Sequence, residues 1–232
     1  VADRKDMLYV PEGPFVKGRL KQEPMSQQVT REEKDSDGTV RRVPTGQKKP
    51  VASQAEPLHA IVHVPAFYID RFEYPNRVKN KDGSPVMPTA RSTWSDAASA
   101  CESKGKRLCT EEEWEKACKG PENTIYSYAD VYDQEMCGDG VDEIHHLGQN
   151  EACISGYGVA DMSGNLREWT ASQPGAKDDR RVVKGGLRSN NLRGSRCAYS
   201  NDERMNYSDS TLGFRCCLSV DTAKSGAGAE AK

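Results

Sequence analysis

The chain has 232 residues, a formal net charge of -2, 35% hydrophobic residues and 29% charged residues. That hydrophobic share is lean for a core of this size, so one domain with much of its chain in loops is expected. Acidic and basic residues are interleaved, which argues against a nucleic-acid surface, and no apolar run approaches the ~20 residues that cross a bilayer as a helix.

Met7 to Gly18 reads as two short strands around a turn, because apolar and aromatic positions flank Glu12-Gly13-Pro14. The start at Val1, with neither a Met nor a signal-like segment, leads to the expectation of a processed N-terminus. From 19 to 56 the sequence is polar, carrying Gln22, Gln27 and Gln28, then Lys34-Asp-Ser-Asp-Gly38 and Gln47-Lys-Lys-Pro50. It reads as a long surface insertion in a domain spanning 7–219. His59 to Asp70 is rich in β-branched and aromatic residues and reads as a strand broken at Pro65.

Thr93 to Lys104 reads as a helix, with Trp94, Ala97, Ala98 and Cys101 at spacings of three and four and Gly105 at its stop. A second helix starts at Thr110-Glu-Glu-Glu113, which has capping-box spacing, and Trp114, Ala117 and Cys118 share its inner face. Pro121 to Gly158 shows little periodicity and reads as irregular loop. Val182 to Gly186 and Leu212 to Leu218 read as short core strands, and 220–232 as a disordered tail.

The eight cysteines are even in number and form no CxxC pair, so a disulfide framework in an oxidising compartment fits better than a zinc ribbon or a thioredoxin-like centre. A metal site and a reactive free thiol are the rival readings. Asp130, Asp133, Glu135, Asp139, Asp142 and Glu143 form an acidic loop without EF-hand spacing, read as solvated rather than cation-binding. His145-His146 could take a transition metal, but adjacent loop histidines are more often exposed and idle.

Four blocks occur in a fixed order: Val64-Pro-Ala-Phe-Tyr-Ile-Asp70; Gly105-Lys-Arg-Leu-Cys-Thr-Glu-Glu-Glu-Trp-Glu-Lys-Ala-Cys118; Tyr157-Gly-Val-Ala-Asp-Met-Ser-Gly-Asn-Leu-Arg-Glu-Trp-Thr170; and Lys184-Gly-Gly186 with Leu212-Gly-Phe-Arg215. Together they resemble the formylglycine-generating enzyme, or sulfatase-modifying factor, family over roughly Met7 to Ser219. The resemblance implies an α+β, variant C-type-lectin-like fold, loop-rich, with short strands and two main helices.

In that family two cysteines between the Gly-Gly strand and the following Arg-Cys hold copper(I), which suits soft thiolates. Here that stretch is Leu187-Arg-Ser-Asn-Asn-Leu-Arg-Gly-Ser-Arg196, without cysteine. No copper is therefore expected, and formylglycine generation is not expected. The aromatic residue common before the Glu-Trp of the third block is replaced by Arg167. Nor do His59, His63, His145 and His146 present the iron-binding pattern of the ergothioneine-pathway branch.

Carried over by motif, the family's two disulfides fall on Cys101 with Cys216 and Cys118 with Cys197, each closing a long loop worth about 4 to 5 kcal/mol in the chain-entropy model. Pairing Cys137 with Cys153 and Cys109 with Cys217 would complete the set. The resemblance also implies calcium, held by the side chains of Asp161 and Glu168 and the carbonyls of Gly164 and Leu166; the alternative is that Asn165 and Glu168 only hydrogen-bond the loop. Asp161 stands where the family often has Asn, which adds charge. Arg167 and, where the family's groove would lie, Arg188, Asn190, Asn191, Arg193 and Arg196 could bind an anionic or polar ligand, or form a hydrogen-bonded loop without one.

These features lead to an expected function as a non-catalytic, exported binding or structural module, periplasmic, extracellular or at the cell surface. Its expected partner is another protein, met through 19–56. The rival readings are a periplasmic tailoring enzyme of the same superfamily with altered chemistry, or a lectin-fold ligand receptor.

Overall fold

The computed structural model describes residues 4, 6–19, 26–36, 38–50, 59–137, 144–186 and 191–220. The two strands expected at the N-terminus are β1 (Met7–Val10) and β2 (Gly13–Lys17). They do not pair with each other. Pro65 divides the 59–70 run into β5 (Ala60–Val64) and β6 (Phe67–Asp70), so β2 pairs with β5 and β1 with β6, both antiparallel.

Between β2 and β5, within the stretch read as a long polar surface insertion, the chain forms an antiparallel ribbon that the sequence reading did not mark, β3 (Ser26–Lys34) and β4 (Val40–Pro50). Its register shifts between Gln28 and Thr30. A ribbon of this kind is held by main-chain hydrogen bonds, so it needs no apolar alternation to form. Residues 20–25, 37 and 51–56 of the insertion, and 221–232 of the expected tail, lie outside the described residues.

Both expected helices form, α1 (Trp94–Glu102) and α2 (Glu111–Lys119), each started by a capping box. Thr93 accepts from the Asp96 N–H and Thr110 from the Glu113 N–H, while each acidic side chain reaches back to the cap. The remaining elements are β7 (Arg107–Leu108), β8 (Arg167–Trp169), β9 (Arg180–Lys184), the four-residue α3 (Asn191–Gly194), β10 (Ser200–Arg204), β11 (Leu212–Phe214) and β12 (Cys216–Ser219). One sheet has the order β1-β6-β12-β7 and the other β10-β9-β8-β11. The β8–β11 pair is parallel; the others are antiparallel.

The inner face of α2 carries the fully buried Trp114, Ala117 and Cys118 against Val10, Phe67, Ile69 and Met162. Its flanks are charged and buried too. Lys119 donates to the carbonyls of Val16 and Gly18, while Glu115 accepts from the Gly18 N–H at 2.6 Å and from Lys184 at 3.1 Å. The Lys of the Lys-Gly-Gly motif is thus neutralised inside the fold, as a buried cation requires.

All eight cysteines pair, as Cys101–Cys216, Cys109–Cys217, Cys118–Cys197 and Cys137–Cys153, with Cα separations of 5.6, 4.9, 5.6 and 4.7 Å. Cys216 and Cys217 are neighbours on β12 and therefore point to opposite faces of its sheet. One reaches α1 and the other the residue before the α2 cap.

Two glycines of the motifs close around Leu166. A Cβ on Gly213 would stand 2.6 Å from both Leu166 Cδ1 and the Thr89 carbonyl, and one on Gly185, at φ +73°, would stand 3.1 Å from the Leu166 carbonyl. Only glycine permits that approach.

Candidate functional site

Three carboxylates gather behind this closure. Glu73 lies in the loop after β6, Asp161 in the turn before β8 and Glu168 on β8, with relative exposures of 0%, 3% and 0%. Among the described residues a single cation faces them, the fully buried Arg215 between β11 and β12. Arg215 Nε and NH2 donate to the two oxygens of Glu168 at 2.7 Å each. Its other hydrogens reach the carbonyls of Ala160 and Arg71 at 3.1 and 3.2 Å. Trp114 Nε1 adds a bond to Glu168 at 2.8 Å.

Glu73 takes both of its principal bonds from Asn165 Nδ2, at 3.0 and 3.1 Å, with the Leu166 N–H at 3.3 Å from one oxygen. Asp161 receives the Gly148 N–H, but its Oδ2 has no hydrogen-bond partner. Asp161 and Asn165 both adopt left-handed backbone, at φ 59° and 57°, which short amide and carboxylate side chains tolerate. Burial raises the Asp161 carboxyl to about 6 against the opposing pull of Arg215 and the Gly148 bond. Burial, then the charges of Asp161 and Glu168, push Glu73 well above the carboxylate range.

Three buried carboxylates against one guanidinium leave an excess of negative charge that protons or a cation must offset. Asp161 and Glu168, the two side chains expected as calcium ligands, belong to this cluster. Glu168 is bonded to Arg215 and Trp114, whereas Asp161 presents an oxygen with nothing to meet it. The carbonyls of Gly164 and Leu166 accept no hydrogen bond among the described residues. Among these residues no three His, Cys, Asp or Glu side chains converge on one point, so an ion here would draw on main-chain oxygens. The sequence reading assigned no role to Glu73 or Arg215, although Arg215 closes the Leu-Gly-Phe-Arg block.

The basic residues expected along the groove separate. Arg167 pairs with Glu203 at 3.0 Å and Asp209 at 2.6 Å, and its guanidinium lies over Tyr207. Arg193 lies over the Tyr199 ring at 5.2 Å. Arg196 is 2% exposed, and burial followed by the charge of Arg19 lowers its guanidinium to about 10. Arg188, Asn190 and the side chain of Asn191 lie outside the described residues.

In the acidic loop, Asp130 accepts the Ile125 N–H and Asp133 the Glu135 N–H, so both serve local turns; 138–143, with Asp139, Asp142 and Glu143, lie outside the described residues. His145 and His146 share one amide: Gln149 Nε2 meets His145 Nδ1 at 3.0 Å and Gln149 Oε1 meets His146 Nδ1 at 3.1 Å.

Comparison with known proteins places this geometry. The family model of the sulfatase-modifying factor enzyme 1-like domain matches residues 2–220. The inactive C-alpha-formylglycine-generating enzyme 2 of Mus musculus is 31% identical over 158 residues, covering 60% of this chain and 51% of its own length. The formylglycine-generating enzyme of Bos taurus is 30% identical over 166 residues, covering 57% of this chain and 44% of its own. The chain spans about half the length of these curated relatives. Among solved structures, PvdO from Pseudomonas aeruginosa aligns with a TM-score of 0.60 at 16% identity, over 93% of this chain and 96% of its own, and CarF with 0.58 at 15%, over 93% and 98%. These two likenesses are of fold, and with the short strands and two main helices they establish the variant C-type-lectin-like architecture. The chain belongs to the sulfatase-modifying factor enzyme 1-like domain family, that of the formylglycine-generating enzymes.

Proposed function

We propose that this domain is a non-catalytic binding module of an exported protein, built on the formylglycine-generating scaffold and carrying calcium as a structural ion. One observation carries the reading: no cysteine stands between Gly186 and Cys197, and all eight cysteines are consumed in disulfides. A two-thiolate copper site does not fit these residues, and no step is routed through one. Similarity to a relative named inactive supports the same conclusion. Four disulfides suit the periplasm, the extracellular space or the cell surface.

Asp161 supplies the oxygen that would meet the calcium ion, with the Gly164 and Leu166 carbonyls and Glu168 completing an all-oxygen set. The unpartnered Asp161 Oδ2 and the surplus of buried negative charge support this. The β3–β4 ribbon offers a partner protein its polar main-chain edges.

The test is direct. The oxidised domain is incubated with copper(I), oxygen and a cysteine-bearing sulfatase-type peptide, and the peptide is read by mass spectrometry. Unchanged cysteine is expected; conversion to formylglycine would overturn the proposal.

A further inference from the structure

A cleft of about 1110 Å³ opens between the start of β1, the loop after β6 and the turn that follows His145. Its lining includes Leu8, Phe72, Val78, Leu147 and Ile154, an apolar surface that contains none of the residues between Gly186 and Cys197. Three cations, Arg71, Arg77 and Lys79, line it with the carboxylates Asp6 and Glu151. None of the three makes an ion pair among the described residues, whereas Lys106, Arg107, Arg167 and Arg180 elsewhere on the fold each do. Unneutralised cations beside apolar walls favour a ligand with acidic groups next to apolar ones.

The cleft runs up to a sheet edge. β1 is the outermost strand of its sheet, and Met7 and Leu8 belong both to it and to the cleft. The Arg71 N–H donates to the Asp6 carbonyl, and in the register Met7↔Asp70, Leu8↔Ile69, antiparallel alternation turns the peptide groups of Leu8 and Val10 toward β6. The Met7 carbonyl and both peptide groups of Tyr9 therefore face outward. Nothing among the described residues bonds to them, and Tyr9 is 52% exposed. An edge with open donors and acceptors is a template for one more strand.

We propose that the outer edge of β1 and this cleft form one binding site for an extended acidic segment of a partner protein. The segment adds a strand along Met7 to Tyr9, lays its apolar side chains on Phe72 and Val78, and sets its carboxylates against Arg71, Arg77 and Lys79. This rests on the reading of the domain as a binding module, and it names a surface apart from the β3–β4 ribbon, adjoining the carboxylate cluster through Arg71, Gly148 and Ala160 without including its carboxylates.

The probe is a fluorescein-labelled peptide of alternating valine and threonine around an Asp-Leu-Asp centre, titrated with the oxidised domain and followed by anisotropy. A peptide with lysine for aspartate is expected to bind about tenfold more weakly or worse. Arg77→Glu with Lys79→Glu, both exposed, is expected to weaken the acidic peptide by about tenfold without moving the melting temperature. Tyr9→Pro removes an outward N–H while sparing the bonds to β6, and is expected to weaken both peptides. Equal binding of the two peptides, indifference to the charge reversal or indifference to Tyr9→Pro would overturn the proposal. So would a site filled only by a small anionic amphiphile such as anilinonaphthalene sulfonate. A partner held solely through the 26–50 ribbon would overturn it too, yet leave the binding-module reading standing.

Discussion

Glu168 and Arg215 meet edge to edge in the fully buried interior, Nε and NH2 of the guanidinium against the two carboxylate oxygens at 2.7 Å each. The pair joins β8 to the β11–β12 corner, and the remaining Arg215 hydrogens hold the carbonyls of Arg71 and Ala160. Replacing Arg215 by Leu would leave Glu168 charged, buried and facing two more carboxylates. The expected loss is about 3 to 5 kcal/mol in denaturant unfolding. Adding Glu168→Gln should restore part of it; a double variant no better than the single one would refute the pairing as the cause.

Calcium should stabilise the chelator-treated domain. At a concentration ~100 times the dissociation constant, linkage gives about 2.7 kcal/mol, visible as a raised melting temperature. Asp161→Ala should abolish that increment, because it removes the one buried oxygen without a hydrogen-bond partner in the cluster. Calorimetry that finds no calcium heat in the chelator-treated domain would remove the ion from the account.

The disulfides should differ in weight. Cys101 and Cys216 are 115 residues apart and Cys137 and Cys153 only 16. In the chain-entropy model, replacing the first pair by serine costs roughly 5 kcal/mol and the second roughly 3. Equilibrium unfolding of the two double variants gives the order, and a reversed order would show that native contacts outweigh loop closure.

Thr110→Ala should cost ~1 kcal/mol, since Thr110 Oγ1 accepts the Glu113 N–H at 3.1 Å and Glu113 returns a bond to the Thr110 N–H at 2.8 Å. Thr110→Ser keeps the acceptor and should lie within a few tenths of the wild type, by urea titration.

Local chemistry was readable, and of the distant chemistry the cysteine pairing was the main part that the sequence offered. The second capping box, the break at Pro65 and the inner face of α2 each depend on residues a few positions apart, and each appears where spacing placed it. All four cysteine pairs were anticipated, two of them through the motifs. Asp161 and Glu168 were singled out through the motif, but Glu73 and Arg215 escaped, because Glu73 meets Asn165 across 92 residues and Glu168 meets Arg215 across 47. No periodicity connects positions so far apart. The β3–β4 ribbon and β10 escaped for another reason: strands such as Ser200–Arg204 carry neither apolar alternation nor β-branched and aromatic residues, the traces by which a strand is read in sequence.

The adjacent cysteines of β12 bind the end of the fold back onto its middle, through Cys101 on one face and Cys109 on the other. A protease that cuts any single peptide bond between Cys101 and Cys216 therefore leaves one covalent body. Nicked protein would migrate as intact until a reductant is added, so a loop of this domain can be cleaved without shedding either fragment.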